Sequence, residues 1–95
     1  MQFILIARDG TDPEAPERRQ AARAEHLTNM RRLKATGNYI FGGAILNENG
    51  DMVGSTIVFD FPDRAAFDAW LKNDPYVTGN VWQQIEVEGF RVAPV

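Results

Sequence analysis

Apolar and polar residues are arranged along the chain in a pattern that predicts four strands and two helices. Residues 3–7 (FILIA) form a continuous apolar run, which indicates a strand covered on both faces and therefore central in its sheet. Turn-forming residues 9–13 follow, and a long helix is predicted from about residue 16 to residue 36. Gly37 is expected to end this helix in the left-handed conformation.

The middle of the chain predicts an antiparallel hairpin. Residues 39–46 and 52–61 are apolar runs separated by Asn49-Gly50, a pair that tolerates the positive φ angles of a type I′ turn. Gly42 and Gly43 interrupt the first of these strands, which indicates either a bulge or a close approach by another group.

A second helix and a last strand complete the pattern. Asp63 is the expected N-cap of the helix, which should end by Asn73 because Asp74 precedes Pro75 and is biased away from helical angles. A short irregular segment is expected next. In residues 82–92 polar and apolar side chains alternate, which predicts a strand with one face in water. The alternation changes beyond Gly89, where we expect a bulge or a change of environment.

The order β-α-β-β-α-β predicts an α+β, ferredoxin-like fold with a four-stranded antiparallel sheet and both helices on one face. Residues 1–95 are expected to form a single domain, without repeats or linkers. The uncovered sheet face must carry apolar side chains from Phe3, Leu5, Ile57 and Phe59 or from their alternates. A second copy of the chain is the expected cover, so the sequence predicts a homodimer.

Composition and charge exclude several classes of function. The net charge is −3 and the ten Lys and Arg residues are scattered, which argues against a nucleic-acid partner. The absence of cysteine excludes disulfides, thiol nucleophiles and iron–sulfur clusters, and it fits a cytoplasmic protein. No signal peptide is indicated, and no run approaches the roughly 18 apolar residues that span a bilayer. The basic residues of the first helix, interleaved with glutamates, are expected to form a solvated face.

His26 is the only histidine, and its helical position makes it a candidate for chemistry. Counting about 100° per residue puts it inside the apolar stripe of Leu27 and Met30, with Arg19 and Arg23 on the same side. One interpretation is a half-buried histidine bonded to a backbone carbonyl. The other is a general acid or base oriented by a carboxylate, since imidazole titrates near neutral pH.

The other candidates each have a functional and a structural interpretation. Asp74 is the carboxylate expected to orient the histidine, or else a turn former bonded to nearby amides. Asp9 is a turn former, an N-cap or a substrate contact. Ser55 can donate a hydrogen bond to a ligand, although strand hydroxyls are usually structural. Tyr76 and Trp82 either line an aromatic pocket or belong to the core.

Cofactor-dependent chemistry has no support in the sequence. One histidine and no cysteine leave a metal site dependent on carboxylates alone, so no metal is predicted. The glycines at Gly42-Gly43 and Gly50 match neither the dinucleotide-binding fingerprint nor the P-loop. Ser55 does not lie in a nucleophile elbow. Proton transfer without a cofactor is the chemistry that remains.

The chain resembles the YciI-like (YCII-related) family over essentially its whole length. The matching stretches are residues 5–9 (LIARD), 23–27 (RAEHL), 42–43 (GG), 54–58 (GSTIV), 60–61 (DF), 69–70 (AW), 74–77 (DPYV), 81 (V) and 90–91 (FR). The resemblance implies a dimeric α-β barrel with an active site around a His-Asp pair, which corresponds here to His26 and Asp74. Family members often have Gly-Pro where this chain has Gly43-Ala44, so the pocket wall is expected to differ there.

The resemblance also implies a range of activities. They include dehydrochlorination of a chlorinated, hydroxylated aromatic compound, and in the wider group isomerases and cofactor-free oxygenases. We therefore predict a cofactor-independent lyase or isomerase in which His26 transfers the proton and Asp74 orients it. The predicted substrate contacts are Asp9, Gly43, Ser55 and Tyr76. The alternatives are a binding or accessory module that has the cleft but no chemistry, and a domain that chiefly mediates dimerisation.

Overall fold

A computed structural model describes all 95 residues, which form one four-stranded sheet and three helices. In chain order the elements are β1 (Gln2–Asp9), α1 (Ala15–Ala35), β2 (Tyr39–Leu46), β3 (Met52–Asp60), α2 (Arg64–Leu71), α3 (Pro75–Thr78) and β4 (Trp82–Phe90). All strand pairs are antiparallel, in the order β2-β3-β1-β4. The predicted ferredoxin-like fold and the central position of β1 are confirmed.

The helices pack on one face of the sheet, and the core lies between them. Phe3, Leu5, Ile57 and Phe59 point toward the helices, and at most 3% of each is exposed. Because side chains alternate along a strand, their neighbours point to the opposite, uncovered face. The uncovered face is therefore built from the alternates of these four residues, chiefly Ile4, Ile6, Phe41, Ile45 and Val58.

Helix α1 buries the side that the sequence predicted, and one of its arginines with it. Arg19, His26 and Met30 are buried, at spacings of seven and four residues that keep them on one side of the helix. The prediction of a solvated basic face is thus wrong for Arg19. Gly37, with φ of 82°, follows the helix as predicted. None of the three helices combines the length and apolar character that a bilayer-spanning segment requires.

The short helix α3 replaces the irregular segment that the sequence predicted. Asp63 caps α2 by accepting a hydrogen bond from the Ala66 N–H at 2.8 Å, as expected. Asp74 lies beyond the end of α2, but it also caps α3 by accepting a hydrogen bond from the Tyr76 N–H at 3.0 Å. Pro75 occupies the first turn of α3, where its missing N–H costs nothing. The sequence analysis identified Asp74-Pro75 as the end of α2, but it did not identify the same two residues as the start of α3.

The β2–β3 hairpin is confirmed, but its turn is not of type I′. Gly50 has φ of 82°, whereas Asn49 does not have the positive φ that a type I′ turn demands. The side-chain oxygen of Asn47 accepts hydrogen bonds from the N–H groups of Asn49 and Asp51. This side chain holds a longer loop, in which only the glycine is left-handed.

Irregularities in the sheet do not fall where the sequence placed them. The pairing shifts between Arg8 and Asp9 and near both ends of β2, while Gly89 pairs regularly with Phe3. Beyond Gly89 there is no bulge, and β4 ends one residue later at Phe90, which is the change of environment expected as the alternative. At Gly42 the predicted close approach is confirmed. A Cβ atom there would lie 2.8 Å from the Thr56 carbonyl oxygen.

Candidate active site

A cleft of about 140 Å³ lies between α1, α3 and strands β2 and β3. Its walls include Arg19, Arg23 and His26 from α1 and Tyr76 from α3. Ser55 and Ile57 come from β3, and Gly42, Gly43 and Ala44 come from β2. Thirteen residues line this cleft, and none of them is acidic. The side toward Gly43 and Met52, both exposed, is open to solvent.

His26 and Asp74 form a buried hydrogen-bonded pair at the base of this cleft. The imidazole Nδ1 lies 2.8 Å from Asp74 Oδ2, and the two residues are only 5% and 1% exposed. Asp74 Oδ2 also accepts the Tyr76 N–H, so it acts as an acceptor and Nδ1 carries the proton of the neutral ring. Nε2 then holds the free electron pair. It has no protein partner and retains access to solvent.

Tyr76 packs directly against the imidazole. The two rings are nearly parallel, with centroids 3.8 Å apart, and Trp82 contacts His26 edge-on at 5.5 Å. The Tyr76 hydroxyl is buried and has no hydrogen-bond partner. Burial raises the pKa of Tyr76 above its ordinary value, although the Arg19 and Arg23 charges oppose this effect. The phenol therefore remains protonated at neutral pH and can donate a hydrogen bond.

A buried polar network supports the floor of the cleft. Arg19 binds both carboxylate oxygens of Asp9 at 3.0 Å and donates to Ser55 Oγ at 3.0 Å. Trp82 Nε1 donates to the same oxygen at 3.1 Å. The Asp9–Arg19 pair neutralises its own charges, and its side chains are only 5% and 7% exposed. Ser55 accepts two bonds here, which leaves its O–H free to donate into the cleft.

Arg23 lines the cleft without a carboxylate partner. Its Nη1 lies 2.9 Å from the sulfur of Met52, and no Asp or Glu oxygen is within ion-pair distance. Sulfur is a weak acceptor, so the guanidinium charge is not compensated inside the protein. Arg23 is absent from the predicted site, although its helical angle already put it beside His26.

The structure brings most of the predicted site residues together. His26 and Asp74 are hydrogen-bonded, and Ser55, Tyr76 and Gly43 line the same cleft. Asp9 does not line it. Asp9 is neither a turn former nor an N-cap, because it is the last residue of β1 and pairs with Arg19. No cluster of three or more His, Cys, Asp or Glu side chains is arranged to hold a metal ion.

The fold and the buried His–carboxylate pair define a ferredoxin-like α+β protein with a small cleft under its first helix. Solved structures of the same fold include the 5-chloro-2-hydroxyhydroquinone dehydrochlorinase TftG of Burkholderia phenoliruptrix, in complex with 2,5-dihydroxybenzoquinone. Its TM-score is 0.83 at 23% identity, over 98% of this chain and 96% of that one. Muconolactone isomerase has a TM-score of 0.71 at 21% identity, over 99% and 92% of the two chains.

The family follows from the sequence comparison. Residues 1–91 match the YCII-related domain, and the chain belongs to that family. An uncharacterised protein of Haemophilus influenzae is 31% identical over 97 residues, which cover 96% of this chain and 97% of the relative. The protein YciI of Escherichia coli O6:H1 is 29% identical with the same coverage. The family resemblance seen in the sequence is thus confirmed.

Proposed function

We propose that the cleft is the active site of a cofactor-independent enzyme in which His26 transfers a proton on a small cyclic substrate. The observation that carries the proposal is the hydrogen bond between Nδ1 and Asp74 Oδ2, because it leaves Nε2 as a base at the cleft. A carboxylate behind the ring also stabilises the imidazolium that forms when Nε2 takes up a proton.

The same groups can catalyse an isomerisation or an elimination. In both reactions Nε2 removes a proton from the substrate and leaves an electron pair on it. In an isomerisation the imidazolium returns this proton to a different atom. In an elimination the electron pair expels a leaving group such as chloride, and the proton is released separately. The O–H groups of Tyr76 and Ser55 are free to donate to a substrate oxygen in either case.

The size of the cleft favours a single ring. Its volume of about 140 Å³ is close to that of a cavity of about 150 Å³ that accommodates benzene. Two proteins of the same fold are named for reactions of single-ring compounds, a chlorinated hydroxyhydroquinone and muconolactone. A dehydrochlorination and an isomerisation are the two reaction types, elimination and isomerisation, that proton removal by His26 can initiate.

We also propose that the protein is a cytoplasmic homodimer that packs sheet against sheet. The uncovered face carries Phe41 on β2 and Ile4 and Ile6 on β1, beside the buried Val58 of β3, and Phe41 is 57% exposed. Monomeric proteins rarely leave such a contiguous apolar surface in water. A second copy of the same face would cover it.

The proposal is tested with the two substrates that the neighbours' names provide. Purified protein is incubated with 5-chloro-2-hydroxyhydroquinone or muconolactone, and chloride release or isomerisation is followed over time. Acceleration by the wild type, lost by at least about 100-fold in His26→Gln with an unchanged circular dichroism spectrum, supports the enzyme. If neither compound reacts but 2,5-dihydroxybenzoquinone binds in a His26-dependent manner, the cleft belongs to a binding module. An unfolded His26→Gln would make the histidine structural.

A further inference from the structure

We propose that the cleft selects an anionic ligand, whose charged oxygen is bound by the Arg23 guanidinium and the Tyr76 hydroxyl. The inference deepens the proposed function by naming the substrate class, and it rests on the same cleft. It does not depend on the chemistry assigned to His26, because a binding module would show the same selectivity.

The charge balance of the cleft is the first observation. Of the two arginines that line it, Arg19 is neutralised by Asp9 within the protein. Arg23 is half-buried and contacts the Met52 sulfur but no carboxylate, and none of the lining residues is acidic. Asp74 does not line the cleft but lies behind the His26 imidazole, so the lining itself presents the Arg23 charge with no carboxylate beside it, although the whole chain carries a net charge of −3. A partly desolvated cation of this kind is satisfied by an anion that binds from solvent.

The second observation is the unpartnered hydroxyl of Tyr76. Tyr76 is only 1% exposed and lines the cleft, yet its hydroxyl has no hydrogen-bond partner in the protein. Buried polar groups are normally hydrogen-bonded, so a donor left free in this way indicates a ligand acceptor. As a protonated phenol it can donate only to an oxygen or nitrogen that accepts, such as a phenolate or carboxylate oxygen.

The positions of these groups along α1 bring them together. Arg19 and His26 are separated by seven residues, or about 10.5 Å of helix rise. The Tyr76 ring contacts both, with its centroid 4.8 Å from Arg19 Cζ and 3.8 Å from the imidazole centroid, and so lies between them. Arg23 is on the intervening turn, one turn from His26, and its charge acts on the Tyr76 hydroxyl. An oxygen bound by Arg23 and Tyr76 therefore leaves the adjoining ring atoms near His26.

This arrangement assigns a further task to Arg23 if His26 removes a proton from the ligand. The electron pair left behind delocalises onto an oxygen conjugated with the reacting carbon. Where that oxygen belongs to the same conjugated system as the charged oxygen of the ligand, the guanidinium and the phenol O–H stabilise the negative charge that proton removal adds to this system. Arg23 is thus a specificity determinant for binding and, in the reaction, a group that stabilises the negative charge of the substrate.

The test compares ring anions with their uncharged counterparts. We would measure the Kd of 2,5-dihydroxybenzoquinone against its dimethyl ether, and of benzoate against benzamide, by titration calorimetry. The negative charge of the quinone is on an ionised hydroxyl, and that of benzoate is on a carboxylate. Comparing the two pairs of ligands therefore shows which of these anionic groups the cleft prefers. The variants are Arg23→Gln, Arg23→Lys and Tyr76→Phe. Arg31→Gln is the matched control, because it removes the same charge from an exposed position of α1.

We expect the affinity of the cleft to depend on the charge of the ligand. At least one anion binds the wild type more tightly than its neutral counterpart, and Arg23→Gln weakens that anion roughly 10- to 100-fold. Arg23→Lys keeps part of the affinity that Arg23→Gln loses. Tyr76→Phe weakens binding of the anion severalfold, and Arg31→Gln changes its Kd little. The inference is overturned if neither anion binds the wild type at millimolar concentration, or if Arg23→Gln binds like the wild type. Arg23-dependent binding without turnover would overturn only the proposed enzyme.

Discussion

A single oxygen atom, Asp74 Oδ2, accepts hydrogen bonds from both His26 Nδ1 and the Tyr76 backbone N–H. The backbone donor makes this position an obligatory acceptor, so it controls which imidazole nitrogen carries the proton. Asp74 Oδ1, in contrast, is buried without a partner. The carboxylate is therefore oriented by α3 rather than by the histidine alone.

Replacing Asp74 by Asn separates the charge of the carboxylate from its geometry. The amide oxygen should occupy the Oδ2 position, because an amide nitrogen there would oppose the Tyr76 N–H. The Nδ1–H tautomer of His26 is then retained while the negative charge is lost. We expect kcat to fall by about 10²-fold, because the imidazolium loses its counter-charge. Turnover and the ¹⁵N chemical shifts of the imidazole are the measurements, and full activity in Asp74→Asn would contradict the role of the charge.

Ser55→Ala should destabilise the protein although it removes only one oxygen. That oxygen is the acceptor for both Arg19 Nη2 and Trp82 Nε1, which would be left as buried, unsatisfied donors. We expect the free energy of unfolding to fall by about 2 kcal/mol, measured by urea denaturation. Thr28→Ala removes an exposed hydroxyl from α1 and should change stability by less than about 0.5 kcal/mol. Equal effects in the two variants would refute the structural role of Ser55.

Tyr76 should make the protein sensitive to alkali. Its pKa is raised by burial, so above about pH 10 the unfolded chain loses this proton before the folded chain does. Stability that is fully present below pH 10 is then lost as the pH rises toward the folded pKa, with a slope of up to about 1.4 kcal/mol per pH unit. Unfolding measured across this range should show a shallower loss in Tyr76→Phe. Tyr39→Phe, the matched control, should retain the alkaline loss caused by Tyr76.

At the scale of elements, β2 contains two adjacent glycines with different roles. A Cβ atom on Gly42 would lie within 2.9 Å of the Ile57 Cα and the Thr56 carbonyl oxygen, whereas a Cβ atom on Gly43 would meet nothing within 4 Å. Gly42→Ala should therefore lower the free energy of unfolding by about 1–3 kcal/mol. Gly43→Ala should leave it the same or slightly higher. Urea denaturation of the two variants gives the comparison, and equal stabilities would disprove this assignment.

Elements were predictable from sequence where the determining interactions are local. Asp63 before a helical run and Gly37 after one identify helix ends because the cap bonds lie within four residues. The turn at residues 47–51 was only partly predictable. The hydrogen bonds that the Asn47 side chain accepts stabilise a longer loop instead of the type I′ turn that Asn49-Gly50 indicates. Helix α3 was missed because its single turn has no periodicity to recognise.

At the scale of the whole molecule, the uncovered sheet face should mediate dimerisation. Phe41, Val58, Ile4 and Glu88 lie in one row across the four strands. Phe41 is 57% exposed, so Phe41→Glu should leave the monomer folded and dissociate the dimer by introducing a charge into an apolar interface. Sedimentation equilibrium provides the measurement. Ile85→Glu, at an exposed position of β4 on the other face, is the control and should remain dimeric. A monomeric wild type would contradict the proposed homodimer.

The sequence by itself determined the order of the four strands and the two longer helices, the buried side of α1 and the candidacy of His26. These depend on alternation, helical period and turn chemistry, which act over a few residues. The sequence also offered Asp74, 48 residues away, as a partner of His26, but only the tertiary structure shows that the two are hydrogen-bonded. The tertiary structure also decided that Arg19 pairs with Asp9 while Arg23 remains without a carboxylate. These pairings depend on how α1 and α3 pack over the sheet, and no local pattern specifies that packing.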